Sequence, residues 1–182
     1  MKKIMLLASV ALLMASQSKA LEVQPYVGAD YVYSWADIKN SKYFEDRYQA
    51  LHFSVGAMTS SVMGLELSYQ QSEQKKKSSS FGQTKAEYKA YGLDGVYYLG
   101  LMENVQGIGA VGLGYYEVKA KIKSGGDFHR GDDEHFGLRA GAGVQYSIDA
   151  NWAVRVMGRY HYVNADALNH MFDVTAGVRY YF

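Results

Sequence analysis

The chain has 182 residues, 48% hydrophobic and 20% charged, with a formal net charge of +1. That allows one domain of moderate size and argues against a general nucleic-acid binder. With 0 Cys and 1 Pro against 17 Tyr and 19 Gly, a disulfide scaffold, a Cys-ligated zinc site, a thiol nucleophile and a lipidated N-terminal Cys are excluded, and the Tyr and Gly content points to sheet.

At the start of the chain, Lys2 and Lys3 precede an apolar stretch from Ile4 to Ala15, and Ser18-Lys19-Ala20 puts small residues at the −3 and −1 positions of a cleavage site. Residues 1–20 are read as a cleaved signal peptide, because this stretch is shorter than the roughly 18 to 20 residues a membrane helix requires. The mature chain is expected to start at Leu21, with residues 21–182 as one domain. Loss of Lys2, Lys3 and Lys19 moves the formal charge to −2.

From Val23 onward apolar residues recur at every second position, the period of a strand. Eight segments follow: 23–35, 49–58, 62–71, 86–99, 108–118, 135–147, 152–163 and 171–182. Each reaches the roughly 9 to 11 residues of a tilted membrane strand. In the last, Phe172, Val174, Ala176, Val178, Tyr180 and Phe182 share one face, opposite Met171, Asp173, Thr175, Gly177, Arg179 and Tyr181. The joins alternate as well. Those at 59–61, 100–106 and 148–151 are short, those at 36–48, 72–85 and 119–134 are long and polar, and the last, 164–170, is brief. An antiparallel meander collects its short turns at one end and its long loops at the other, and an even strand number lets the first strand pair with the last.

A soluble barrel with its apolar side inward shows the same alternation, so the composition of the faces decides. The polar face is dense in small residues, among them Gly28, Gly56, Gly92, Gly112, Gly141 and Gly177, which suits a crowded interior. The apolar face carries aromatics near strand ends, Trp152 and Phe182 at the short-turn end and Tyr33 and Trp35 at the other, as interfacial girdles do. The sequence thus predicts an all-β, eight-stranded antiparallel up-and-down transmembrane β-barrel.

Pro25-Tyr26-Val27-Gly28 opens the first strand, Gly64-Leu65-Glu66-Leu67-Ser68-Tyr69 lies in the third, and Gly109-Ala110-Val111-Gly112-Leu113-Gly114-Tyr115 lies in the fifth. Ala140-Gly141-Ala142-Gly143-Val144, Tyr160-His161-Tyr162 and Gly177-Val178-Arg179-Tyr180-Tyr181-Phe182 occupy the last three. In that order the chain resembles the small eight-stranded outer-membrane β-barrel proteins, the opacity-protein and OmpA-transmembrane-domain type. The resemblance implies the bacterial outer membrane, with lipids and lipopolysaccharide around the barrel, short periplasmic turns and longer extracellular loops. It also implies that Val178, Tyr180 and Phe182 form the signal read by the barrel-assembly machinery. A monomer is expected.

The same parity sends Asp30, Glu66, Asp94 and Asp173 inward with Arg139, Arg155, Arg159, Arg179 and His161. Unpaired charge in a narrow interior is costly, so a bridged network that plugs the lumen is expected. Strand direction places Asp94, Arg139, Arg159 and Asp30 mid-barrel, with Glu66, Arg155 and Arg179 nearer the short-turn end.

Several motifs carry less than their spelling offers. Gly107-Ile108-Gly109-Ala110-Val111-Gly112 fits G-x-G-x-x-G but lacks the strand before it and the helix after it that a dinucleotide site needs. Arg130-Gly131-Asp132 resembles the integrin-recognition tripeptide and falls in the longest predicted loop. His129, Asp132, Asp133, Glu134 and His135 cluster without a scaffold to hold a cation, so no metal and no cofactor is expected. Lys75, Lys76 and Lys77 make the second long loop basic, fit to meet lipopolysaccharide phosphates or acidic glycans by counter-charge.

The functional expectation is a non-enzymatic structural and surface-contact protein. It would act in adhesion or evasion through its loops, toward a host or environmental surface ligand. A small low-conductance pore is one alternative. A lipid A-modifying barrel enzyme is another, but His170 has no Ser beside it in the sequence.

Overall fold

The computed structural model describes residues 23–38, 47–59, 62–73, 75–79, 82–124, 127–163 and 168–182, the outermost parts of several strands as backbone. The expected signal peptide and the start at Leu21 lie outside these residues. The described residues form nine strands: β1 (Gln24–Ile38), β2 (Arg47–Met58), β3 (Met63–Ser72), β4 (Lys75–Ser79), β5 (Gly82–Met102), β6 (Val105–Ser124), β7 (Asp127–Ser147), β8 (Trp152–Val163) and β9 (Leu168–Tyr181). Among them no helix is long and apolar enough to cross a membrane.

All pairings are antiparallel. The order is β3-β2-β1-β9-β8-β7-β6-β5-β4, and a further pairing of β3 with β5 closes the sheet on itself. β3 pairs with Lys89 to Tyr97 of β5, and β4 pairs with Gly82 to Ala86 of the same strand. β3 and β4 are therefore successive parts of one barrel strand, and the closed wall has eight. At the seam β1 pairs with β9, and the Phe182 amide donates to the Pro25 carbonyl at 3.0 Å. Closure leaves no edge in the wall.

Alternation explains why these residues form this wall. β8 alternates exposed and buried positions along its whole length. Its exposed side is apolar, as are the exposed Leu51, Phe53, Leu65, Leu93, Leu113 and Phe172 of the other strands, while its buried side includes Arg155 and Arg159. Apolar outside and charged inside reverses a soluble fold; hydrocarbon around the wall is what makes it favourable. At the short-turn end, the Asp149 carboxylate accepts from the Asn151 and Trp152 amides at 2.8 and 2.7 Å, fixing the turn into β8.

The opposite end departs from the sequence reading. Most of the joins expected as loops at 72–85 and 119–134 is strand: β4 occupies 75–79, β5 begins at Gly82, β6 runs on to Ser124 and β7 starts at Asp127. Lys75, Lys76 and Lys77 therefore lie in β4, and Arg130, Gly131 and Asp132 lie in β7, paired with Lys121, Ala120 and Lys119 of β6. The reason is physical. Hydropathic alternation ends where lipid ends, but backbone pairing continues in water, so polar residues on both faces hide the strand period. The pairing of β6 with β7 reaches as far as Ser124 and Asp127.

Inside the barrel, apolar and aromatic side chains form three clusters. Val32, Tyr48, Tyr88, Tyr116, Val163 and Met171 pack together toward the long end, Tyr26, Ala153 and Tyr181 toward the short-turn end, and Val96, Tyr98, Ile108, Ala110 and Met157 make the third. Charged side chains fill the remaining interior.

Candidate functional site

The nine residues assigned to the inward face from sequence are all buried, none more than 4% exposed. β1 and β9 pair at Gly28 and Arg179, and the Arg179 guanidinium grips the Asp30 carboxylate with two bonds of 2.8 and 2.9 Å. His52 Nδ1, opposite Asp30 in register on β2, lies 2.7 Å from the same carboxylate. Across the lumen, Arg139 of β7 grips Asp94 of β5 with two bonds of 2.6 Å and donates to the Ser68 hydroxyl at 2.7 Å. Paired forks of this kind are the geometry in which a guanidinium best compensates a carboxylate.

Glu66 is the hub of the third group. It accepts from Arg155 at 2.8 Å, Arg159 at 3.1 Å and the Tyr26 hydroxyl at 2.9 Å. Arg155 is also held by Tyr98 at 3.0 Å and by the Gln145 carbonyl at 3.1 and 3.2 Å. The separation into two heights does not hold here, because Arg159 from the middle and Arg155 from nearer the turns meet on one carboxylate. An arginine side chain is long enough to join adjacent levels.

Asp173 departs from the expected pattern of arginine pairs. Arg159 is its register partner on β8, yet that guanidinium turns to Glu66. Asp173 instead accepts from Gln70 at 3.1 Å and has His161 Nε2 at 3.1 Å. Gln70 also donates to the Tyr88 hydroxyl at 2.6 Å, and Tyr116 meets His161 Nδ1 at 2.6 Å.

Close approach explains the interior glycines. A Cβ on Gly92 would overlap the Arg139 guanidinium, and one on Gly28 would lie 2.5 Å from Arg179 Cδ. Each arginine lies flat over a backbone with no side chain of its own.

Sequence reasoning missed His52, Gln70 and the inward tyrosines Tyr26, Tyr88, Tyr98 and Tyr116. His52 has the parity of Gly56, which belongs to the crowded face of small residues, so its signal is present in the sequence. The Tyr doublets carried another: Tyr97 is 50% exposed and Tyr98 1%, one ring on each face.

On the outer face, Tyr69, Tyr91, Tyr115 and Phe136 form a row of neighbouring rings across β3, β5, β6 and β7, with centroids 5.2, 6.2 and 5.0 Å apart. At the other end Trp152, Tyr180 and Phe182 make a second group, at 4.9 and 5.1 Å. These rows mark the two interfaces of a membrane barrel. Val178 and Phe182 are exposed on the outer face of the β9 end, with Tyr180 half-buried between its neighbours.

Strand geometry also divides the acidic run. His129, Asp133 and His135 alternate with Asp132 and Glu134 along β7, so they fall on opposite faces. The described residues contain no group of three metal-ligating side chains.

The chain matches the model of the outer membrane protein beta-barrel domain over residues 4–182. No sequence among curated proteins matches it. Among solved structures, Neisserial surface protein A superposes with a TM-score of 0.68 at 22% identity, over 87% of this chain and 97% of its own. Ail, the attachment invasion locus protein of Yersinia pestis, crystallised with the heparin analogue sucrose octasulfate, gives 0.65 at 18% identity, over 88% and 99%. The N-terminal β-barrel domain of Pseudomonas aeruginosa OprF gives 0.61 at 17%, over 88% and 99%. At these identities the likeness is one of fold.

Proposed function

Because the chain belongs to the outer membrane protein beta-barrel domain family, we propose that it is a non-enzymatic, monomeric envelope protein with a plugged lumen, acting by surface contact above the membrane. The barrel lies in the bacterial outer membrane. The observation that carries the plug is the continuity of the filling. Three carboxylates hold four arginines, Asp173 accepts from Gln70 with His161 Nε2 beside it, and three buried apolar and aromatic clusters fill the rest. Eight strands leave an interior just wide enough for side chains. Residues 1–20 are removed on export in this reading, and Val178, Tyr180 and Phe182 address the chain to the assembly machinery.

Contact with a host or environmental surface, in adhesion or evasion, is supported by the projecting strands and by the fold shared with Ail, a protein whose own structure holds a sulfated ligand. The narrow-pore reading is favoured by one observation: buried His52 Nε2, Ser54 Oγ and Arg159 Nε have no hydrogen-bond partner among the described residues, so polar groups line part of the lumen.

Outer-membrane fractionation with heated and unheated electrophoresis, followed by planar-bilayer recording of the heat-modifiable species, tests the proposal. The expected result is a mobility shift without steady conductance. Large, steady openings from monomer would overturn the plug. Deleting Phe182 should reduce outer-membrane assembly far more than deleting 75–80, and equal effects would remove the terminal-signal role.

A further inference from the structure

Beyond the aromatic row, β5, β6 and β7 continue and are joined by β4 as a four-stranded sheet. Its outer members β4 and β7 each have one neighbour there among the described residues. Register stacks its residues in rows. On the face that carries Tyr91 and Tyr115, the first row beyond the rings is Gln71, Lys89, Glu117 and Glu134, and the second is Glu87, Lys119 and Asp132. In both rows every cation has an acidic register partner. The third row is Lys76, Lys85, Lys121 and Arg130, four cations in four adjacent strands with no acid among them. The other basic residues of β4, Lys75 and Lys77, fall on the opposite face, where their row neighbours are Ala86, Ala120 and Gly131 for one and Thr84, Ile122 and His129 for the other.

Like charges directly opposite one another weaken a sheet. Lysines that guard an open edge would explain Lys76 or Arg130, but Lys85 and Lys121 belong to the two inner strands. Strand spacing of about 4.8 Å makes the row a straight array about 14 Å long. Lys85 and Lys121 lie six residues beyond Tyr91 and Tyr115. That is about 20 Å along the strand, or about 15 Å along the membrane normal at a barrel tilt of roughly 40°. Aromatic rings of this kind sit at headgroup level, so phosphates at that level meet the mixed-sign rows, and the cationic row stands about 15 Å beyond the rings. It holds no aromatic residue on which bases would stack, and its lysines are point charges suited to fixed anions rather than planar carboxylate forks.

We propose that Lys76, Lys85, Lys121 and Arg130 form a linear binding site for a sulfated glycan approaching from outside the cell. The site gives a ligand class to the surface-contact reading and rests on it. It also divides the basic tract of β4, assigning Lys76 to binding and leaving Lys75 and Lys77 out.

The test uses the full folded chain in phospholipid nanodiscs free of lipopolysaccharide, with heparin as probe, read at low and high salt. Two double variants remove the same charge, Lys85→Gln with Lys121→Gln and Lys75→Gln with Lys77→Gln, each first shown to be heat-modifiable and therefore folded. The row variant should lose roughly tenfold or more in affinity at low salt, the opposite-face variant much less, and high salt should weaken wild-type binding. Equal losses would show that charge count, not the row, governs binding and would overturn the site. Absence of wild-type binding would do the same. If the row variant lost affinity only for lipopolysaccharide vesicles, the ligand would be the membrane's own glycolipid and the proposal would fail. Adherence of expressing bacteria to host cells stripped of sulfated glycans separates the two readings: if it persists the contact role survives without this site, and if cells bearing those glycans are not bound either, both fall.

Discussion

The lumen and the projecting sheet both set charged residues on neighbouring strands, and they resolve the charge in opposite ways. In the lumen, Asp30, Glu66 and Asp94 are each held by arginine, and Arg139 reaches Asp94 and Ser68 at once. Above the membrane, Lys76, Lys85, Lys121 and Arg130 stand in one register row with no acidic member. Burial forces the first arrangement, because an uncompensated charge in a narrow interior costs several kcal/mol. Water permits the second at a cost of tenths. Compensation supplied by the chain marks a structural charge; compensation left to an outside partner marks a contact surface.

The largest test of that contrast removes one half of a buried pair. Arg139→Met leaves Asp94 without its two bonds and should lower stability by about 3–5 kcal/mol, read as a fall in the urea midpoint in detergent. Replacing both partners, Arg139→Met with Asp94→Leu, should recover most of the loss, since a well-packed apolar pair substitutes for a buried ion pair. A silent single variant would mean that the lumen is hydrated enough to solvate Asp94, and the two regions would no longer differ in kind.

A smaller effect is expected at Gly92, whose missing side chain is the space the Arg139 guanidinium occupies. Gly92→Val should cost about 1–3 kcal/mol by displacing that group, with a smaller loss in the Arg139→Met background. Simple addition of the two effects would place the strain in the strand and not in the pair.

The sequence exposed one region better than the other for the same physical reason. Within the membrane the two faces of a strand meet lipid and lumen, so alternation alone placed Arg155, Arg159, Asp173 and the other charged residues inside. It did not say which carboxylate each arginine would take. Arg159 stands opposite Asp173 and turns to Glu66, a choice set by side-chain reach across the lumen and invisible in any strand read singly. Tyr98 and Tyr116 are hard to recognise as interior residues because tyrosine also serves at the interface, although each follows an outward tyrosine and must face the other way. Above the membrane both faces meet water, the alternation vanishes, and Lys75 to Lys77 and Arg130 to Asp132 read as loop. Only the pairing of β4 through β7 reveals that one lysine of three shares a row with Lys121.

The smallest effect carries the sign that separates the regions most clearly. Lys85 has Lys76 on one side and Lys121 on the other in register, so Lys85→Glu turns two like-charge neighbours into opposite-charge ones. Stability should rise, by roughly 0.2–1 kcal/mol for each pair relieved, while heparin binding is lost. In the lumen, altering a charge destabilises because the chain has already matched it. In this row the same kind of change should stabilise, because register sets like charges side by side there. Urea midpoints for Lys85→Glu with and without saturating heparin check both halves. Heparin should raise the wild-type midpoint and leave the variant unmoved. If Lys85→Glu instead lowered the midpoint in the absence of heparin, the lysine would already be matched within the molecule, and the row would be structural like the lumen.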